Sequence, residues 1–299
     1  MRVNPNTQSD MLALLSSSQQ AENTALQQMS SGKRVNVPSD DAAAAAANVI
    51  QDARASQDDQ FLHSIASLEQ YLNTADSTLS SVVTSLTRAV TLGVSGANGT
   101  LSDDNRQSLA NEVDGIKEEV LSLANASFNG QYLFAGTNTQ TAPYQKDSTV
   151  ASGVVYAGNA QSNSADVGGM SLQSNLPGST VFDSGGNDVF AALQTLSDSL
   201  RSGDQTQIGN ATNMLRSALD SVTSARVFYG NSLNQLQAHE TFLNQEKVEI
   251  ASYQDQLVGV DLTTAVSNLS QAQLAREATL EAMARTQNTT LLNYLPPTT

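Results

Sequence analysis

Residues 50–90 read IQDARASQDDQFLHSIASLEQYLNTADSTLSSVVTSLTRAV. Apolar or small side chains recur in it at Ile50, Ala53, Phe61, Ile65, Leu68, Leu72, Ala75, Leu79, Val82, Leu86 and Val90, with Gln57 as the one polar member of the series. The steps alternate between three and four, the spacing that puts side chains on one face of an α-helix. The pattern holds from Ala42 to Gly93 and predicts a single helix of roughly 75 Å at ~1.5 Å per residue. Pro38 and Ser39 precede it, and the reading places Asp40 and Asp41 in its first turn, where carboxylates favour the helix dipole. The run GVSGANGT (Gly93–Thr100) reads as a break, and a second helix is predicted from Asp103 to Ala126.

The other half of the chain repeats the plan. Ile208, Ala211, Leu215, Leu219, Val222, Arg226, Tyr229, Leu233, Leu236, Glu240, Leu243, Lys247 and Ile250 step by three and four, with polar members at 226, 240 and 247 that weaken the seam. A further helix is predicted from Leu262 to Tyr294. The first 30 residues match less well, through Met11, Leu14 or Leu15, Ala21, Ala25, Leu26 and Met29. Both terminal helices carry small and polar residues where an independent coiled coil would carry Leu or Ile. Helices gain most of their stability from packing, so these two are expected to be disordered in the monomer and to order in an assembly.

Between the helical halves the composition changes. Short β-prone runs bounded by Gly, Ser and Asn fill residues 131–186: GQYLFAG, APYQ, GVVYAG, DVGGM and STVFDSGG. This is the signature of a small turn-rich β module. The chain therefore goes out along helices, makes a β tip and returns along helices. The fold class is mainly α: an elongated antiparallel helical bundle or coiled coil with paired terminal helices and a small inserted β-rich module. The expected division is 1–38 with 260–299 as a terminal assembly domain, 39–135 with 188–259 as a rod, and 136–187 as an exposed β module.

Charge and composition remove several classes. The chain has 14 basic and 29 acidic residues, a net charge of −15, no cysteine and no tryptophan. Without cysteine there is no disulfide, thiolate metal site or cysteine nucleophile. A strongly acidic chain is a poor partner for nucleic acid or an anionic membrane. The charge is also uneven. Residues 1–35 and 258–299 together hold five basic and five acidic groups, so the middle carries nine basic and 24 acidic ones. Neutral ends can pack against copies of themselves at low desolvation cost. No apolar run approaches a membrane span, and no early apolar stretch reads as a cleaved signal.

No catalytic or cofactor site is expected. His63 and His239 read as packed or solvated helix histidines, with no metal-ligand spacing around them. The pairs Asp40–Asp41 and Asp103–Asp104 fall at helix starts, where capping explains them. Asp58–Asp59 and Glu118–Glu119 read as solvated helix faces. Gly93, Gly96 and Gly99 lack the Lys-Ser/Thr of a phosphate loop and read as a loop between helices.

Three stretches carry a resemblance. SSGKRVNVPSDD (Ser30–Asp41) resembles the loop between terminal and first long helix in bacterial flagellins and hook-associated proteins. Val260–Leu295, VDLTTAVSNLSQAQLAREATLEAMARTQNTTLLNYL, resembles their C-terminal helix. NGQYLFAGT (Asn129–Thr137) and the ending Leu291–Leu295 are similar to the hook-associated branch that joins hook to filament, rather than to filament flagellin. The chain departs at Ala42, where the family often has Pro. It departs again at Val90 and Thr91, which replace the Arg and Glu of a flagellin stretch recognised by an innate immune receptor, while Arg88 is kept. The resemblance implies a non-enzymatic axial protein outside the cell at the hook–filament junction, exported through the flagellar secretion channel and needed for motility. Its implied partners are the hook-side associated protein (hook-associated protein 1), flagellin, copies of itself and a cytoplasmic export chaperone. Leu12, Leu15, Leu26, Met29, Leu262, Val266, Leu269, Leu280, Met283 and Leu292 are the candidate packing residues. A filament-forming flagellin is the nearer alternative, and a secreted stalk-and-tip adhesin or type III tip protein the more distant one.

Overall fold

The computed structural model describes residues 7–184 and 186–289. Among them are seven helices: α1 (Thr7–Ser31), α2 (Ala42–Gly96), α3 (Asp103–Ala124), α4 (Gly178–Val181), α5 (Val189–Ser202), α6 (Gln205–Val258) and α7 (Leu262–Thr289). Between α3 and α5 lie eight short strands: β1 (Ser127–Phe128), β2 (Gln131–Tyr132), β3 (Tyr144–Lys146), β4 (Val154–Tyr156), β5 (Ser164–Val167), β6 (Met170–Gln173), β7 (Asp183–Ser184) and β8 (Asn187–Asp188). Each strand pairs antiparallel with its sequence neighbour, giving four two-stranded ribbons. The chain forms two compact units, 58–243 and the two ends up to 57 and from 244.

Unit 58–243 holds the main core. On α2 the predicted stripe is buried at Ile65, Leu72, Ala75, Leu79, Val82 and Leu86. On α6 the buried series is Ile208, Ala211, Leu215, Ala218, Val222, Ala225, Tyr229, Leu236 and Leu243. Its register swings by one residue in the middle, so Ala218 and Ala225 face inward where the periodicity placed Leu219 and Arg226. A straight helix drifts against a strict heptad. The swing frees Arg226 to form a two-pronged ion pair with Asp76, at 3.0 Å from Nε and 3.2 Å from Nη2. Helix α3 starts at an N-cap Ser102, whose hydroxyl accepts from Asn105 N, and carries Asp103 and Asp104 in its first turn. Ser197 and Arg201 of α5 reach Asp114 of α3.

Gly93 and Gly96 correct the sequence reading. They lie inside α2 rather than in a loop. A Cβ on Gly93 would overlap Thr212 Oγ1 and one on Gly96 would overlap the Leu200 side chain. Glycine stands at both positions because α5 and α6 approach there too closely for a larger side chain.

The β ribbons close over their own core. Asn129 and Gly130 have φ of 51° and 78°, the left-handed pair that a two-residue Asn-Gly hairpin needs, and they join β1 to β2. The next residues, Leu133, Phe134 and Ala135, are fully buried. Phe134 O accepts from Gly178 N and the Tyr156 hydroxyl. Tyr144, Phe182, Phe190 and Phe134 form an aromatic cluster with centroid separations of 5.1–6.1 Å. Tyr144 and Phe182 are buried in this core.

In the other unit, α2 departs from expectation twice. Asp40 and Asp41 precede the helix instead of sitting in its first turn. Asp41 Oδ1 accepts from Ala44 N as a cap, while Asp40 Oδ2 accepts from Asn36 N and Val37 N and folds the joint before it. Both carboxyls are held below the usual range, chiefly by these backbone bonds. The stripe also fails at its start: Ile50 is 56% exposed.

Candidate assembly surface

The joint built by Ser30–Asp41 fixes where α7 begins. Val260 N donates to Gly32 O at 3.1 Å, Arg34 N to Val258 O at 2.6 Å, and Lys33 bridges Gly259. Gly32, at φ +67°, ends α1 in a left-handed turn. Arg34 Nη2 donates to Leu257 O and pairs with Asp41. With its start pinned to the end of α1, α7 runs back along α1.

The seam between the two helices is small and polar. Ala25, Ala265 and Ala272 are buried, as are Ser18 and Glu22. The Ser18 hydroxyl donates to Ala272 O at 3.3 Å, and Arg276 Nη1 pairs with Glu22 at 2.8 Å. Helical side chains lean toward their own N-terminus, so in an antiparallel pair these two lean toward each other. Three alanine methyls contribute about 2 kcal/mol to it.

Most of the larger apolar side chains stay outside it, while Met29 and Met283 fall in line with it. Leu12, Leu26, Met29, Leu262, Val266 and Leu280 are 38–58% exposed, and Leu15, Leu269 and Met283 are half-buried. Leu292 lies outside the described residues. At about 100° per residue from the buried seam, Leu12, Leu15 and Leu26 fall ~60–120° to one side of α1, and Leu262, Val266 and Leu280 ~60–100° to the same rotational side of α7. In an antiparallel pair equal rotations meet on one side. The pair therefore presents one apolar face. Leu274 (66% exposed) points away from it, and Leu14 (61% exposed) lies on the other side of the seam. Neither was among the candidate packing residues; the sequence reading missed the Glu22–Arg276 pair. The spacing of Glu22 and Arg276 within their helices held the signal, but only the antiparallel pairing gives it meaning.

Among the described residues no three His, Asp or Glu side chains form a metal-binding group, and no helix is long and apolar enough to cross a membrane. His239 stacks on Phe242 at 5.9 Å, and the Gly168 turn between β5 and β6 sits against its ring and Phe61.

Comparison with known proteins agrees with this architecture. Residues 3–139 match the bacterial flagellin N-terminal helical region and 212–295 the bacterial flagellin C-terminal helical region. The chain is 30% identical to flagellar hook-associated protein 3 of Escherichia coli over 290 residues, covering 89% of this chain and 90% of that one. It is 26% identical to flagellin D of Vibrio anguillarum, covering 89% and 75%. A solved structure from Vibrio parahaemolyticus, described as a flagellar hook-associated protein, superposes with a TM-score of 0.69 at 25% identity, covering 74% of this chain and all of that one.

Proposed function

The chain belongs to the bacterial flagellin family, within its hook-associated protein 3 group, and we propose that it joins hook to filament through the one-sided apolar face of its α1–α7 pair. It is a structural component of the flagellum. The observation that carries the mechanism is that face: a seam of small and polar residues, with Leu12, Leu26, Leu262 and Leu280 exposed together on one side of it. Burying them against neighbouring subunits adds stability to the pair, so folding of the ends and assembly are coupled. Leu12, Leu15, Leu26, Met29, Leu262, Val266, Leu269, Leu280, Met283 and Leu292 are the proposed packing residues.

The ends, 1–38 with 260–299, act in this reading as the assembly domain, 39–135 with 188–259 as the rod, and 136–187 as the exposed module. The hook-side associated protein lies below, flagellin above and copies of the chain beside it. A cytoplasmic chaperone holds the C-terminal helix before export, which uses the flagellar channel without a cleaved signal. The chain has no enzymatic role in this account.

Limited proteolysis followed by mass spectrometry tests the coupling. In free chain, cuts should concentrate within 7–31 and 262–289 and spare 58–243; binding to hook or filament ends should suppress them. Ends as resistant in free chain as the central unit would contradict coupled folding.

A further inference from the structure

A second surface of unit 58–243 is unexplained by assembly through the ends. A groove of about 590 Å³ opens between α2 and the β1–β2 and β5–β6 ribbons, within the ~300–1,000 Å³ range of pockets that enclose small ligands. Its apolar wall is Leu68, Tyr71, Phe128 and Ala165. Tyr71 and Phe128 meet edge to face, with centroids 6.0 Å apart and planes at 83°, and the Tyr71 hydroxyl is tied back to Leu133 O, so the rings are fixed.

The rim is polar, and His63 is its one ionisable side chain apart from the tied-back Tyr71. Asn129 stands at the left-handed position of its hairpin turn and, with Gln131 and Thr139, offers donors and acceptors together. The Asn163 amide nitrogen donates to Gly136 O, which leaves its Oδ1 as an acceptor. The Ser67 hydroxyl donates to His63 O and keeps its lone pairs. In a chain of net charge −15, no lining side chain is a carboxylate, ammonium or guanidinium.

Fixed aromatic walls beside neutral groups that both donate and accept match one chemistry. A sugar ring has an apolar C–H face that packs on aromatic rings and hydroxyls that each donate and accept. A cationic ligand would find no carboxylate here and an anionic one no ammonium or guanidinium, only the His63 imidazole, and a purely apolar one would leave the amides unpaired. We infer that this groove binds a neutral oligosaccharide of one to three rings, independently of assembly through the ends.

The test is saturation-transfer difference NMR on the full chain with maltose, cellobiose and N,N′-diacetylchitobiose as probes, and digalacturonate as the charged comparison. At least one neutral probe should bind with a dissociation constant near ~1 mM, and digalacturonate should not. Ser67 is exposed, so Ser67→Trp fills the groove without removing a core contact and should abolish the signal. Gln131→Ala, also at an exposed site, should weaken it about fivefold. Unchanged circular dichroism would show that both variants fold. Absence of transfer to all three neutral probes, binding that survives Ser67→Trp, or equal binding of digalacturonate would overturn the inference.

Discussion

Replacing Leu262, Val266 and Leu280 together by alanine isolates the proposed apolar face. These side chains are 58%, 48% and 46% exposed. Full burial of a Leu or Val stabilises by roughly 2 kcal/mol, so about half of that, ~1 kcal/mol each, is still available when a neighbour covers them. The three sites add to ~3 kcal/mol per subunit, a loss of ~100–200-fold in affinity for a hook or filament end. All three lie outside unit 58–243, so the melting of that unit should not move. The assay is end binding, measured by co-sedimentation with sheared filaments and isolated hooks across a concentration series. Leu274→Ala is the control: it is more exposed, at 66%, but points away from the face. A triple variant that binds like the parent, or a Leu274→Ala variant that loses as much, would refute the argument.

Three further outcomes follow from particular contacts. Gly96 is the last residue of α2, so Gly96→Ala gains less than the ~1 kcal/mol of a helix interior and drives a methyl into Leu200; differential scanning calorimetry should show a lower Tm for the central unit, and a higher Tm would mean α5 is not closely packed there. Glu22→Gln removes the charged partner of Arg276 from a site where Glu22 is 9% exposed; it should weaken α1–α7 pairing by about 1 kcal/mol, discounted for the exposed Arg276, and speed proteolysis within 7–31. Glu69 has a raised pKa, first from burial and then from the nearby Glu240 charge. For an acid held above its unfolded value the charged form is disfavoured in the fold, so the penalty is present at neutral pH and relieved as pH falls through the raised pKa. Glu69→Gln should therefore raise the Tm slightly at pH 7, with the difference disappearing below about pH 4. The opposite sign acts at Asp114. Burial pushes its carboxyl up, but bonds from Arg201 and Ser197 outweigh that and lower it, so its contribution is present at neutral pH and lost in acid.

The helical halves were legible because their stripes are local. Phe61 to Val90 repeats at three and four, and its members Ile65, Leu72, Leu79 and Leu86 are buried. The same periodicity misled at Ile50, where the spacing continues but no described partner covers the side chain, and at Leu219 and Arg226, where helix drift favours the neighbouring alanines. Small residues were harder to read than large ones. Gly93 and Gly96 have the composition of a loop and the role of close-packed helix positions, a difference set by Leu200 and Thr212 more than 100 residues away. The β module announced its turns through Asn129-Gly130, whereas the cluster of Phe134, Tyr144, Phe182 and Phe190 depends on pairing that sequence spacing does not encode. For the assembly surface, sequence supplied the apolar residues. The pairing of α1 with α7 supplied which side they occupy.

Growth on seeds tests the central claim most directly. Purified chain is added to isolated hooks and to sheared filaments, and negative-stain microscopy records length and end decoration over time. A junction protein should bind those ends and stop after a short addition. Continuous elongation into long filaments would contradict the junction assignment and identify the chain as a filament-forming flagellin.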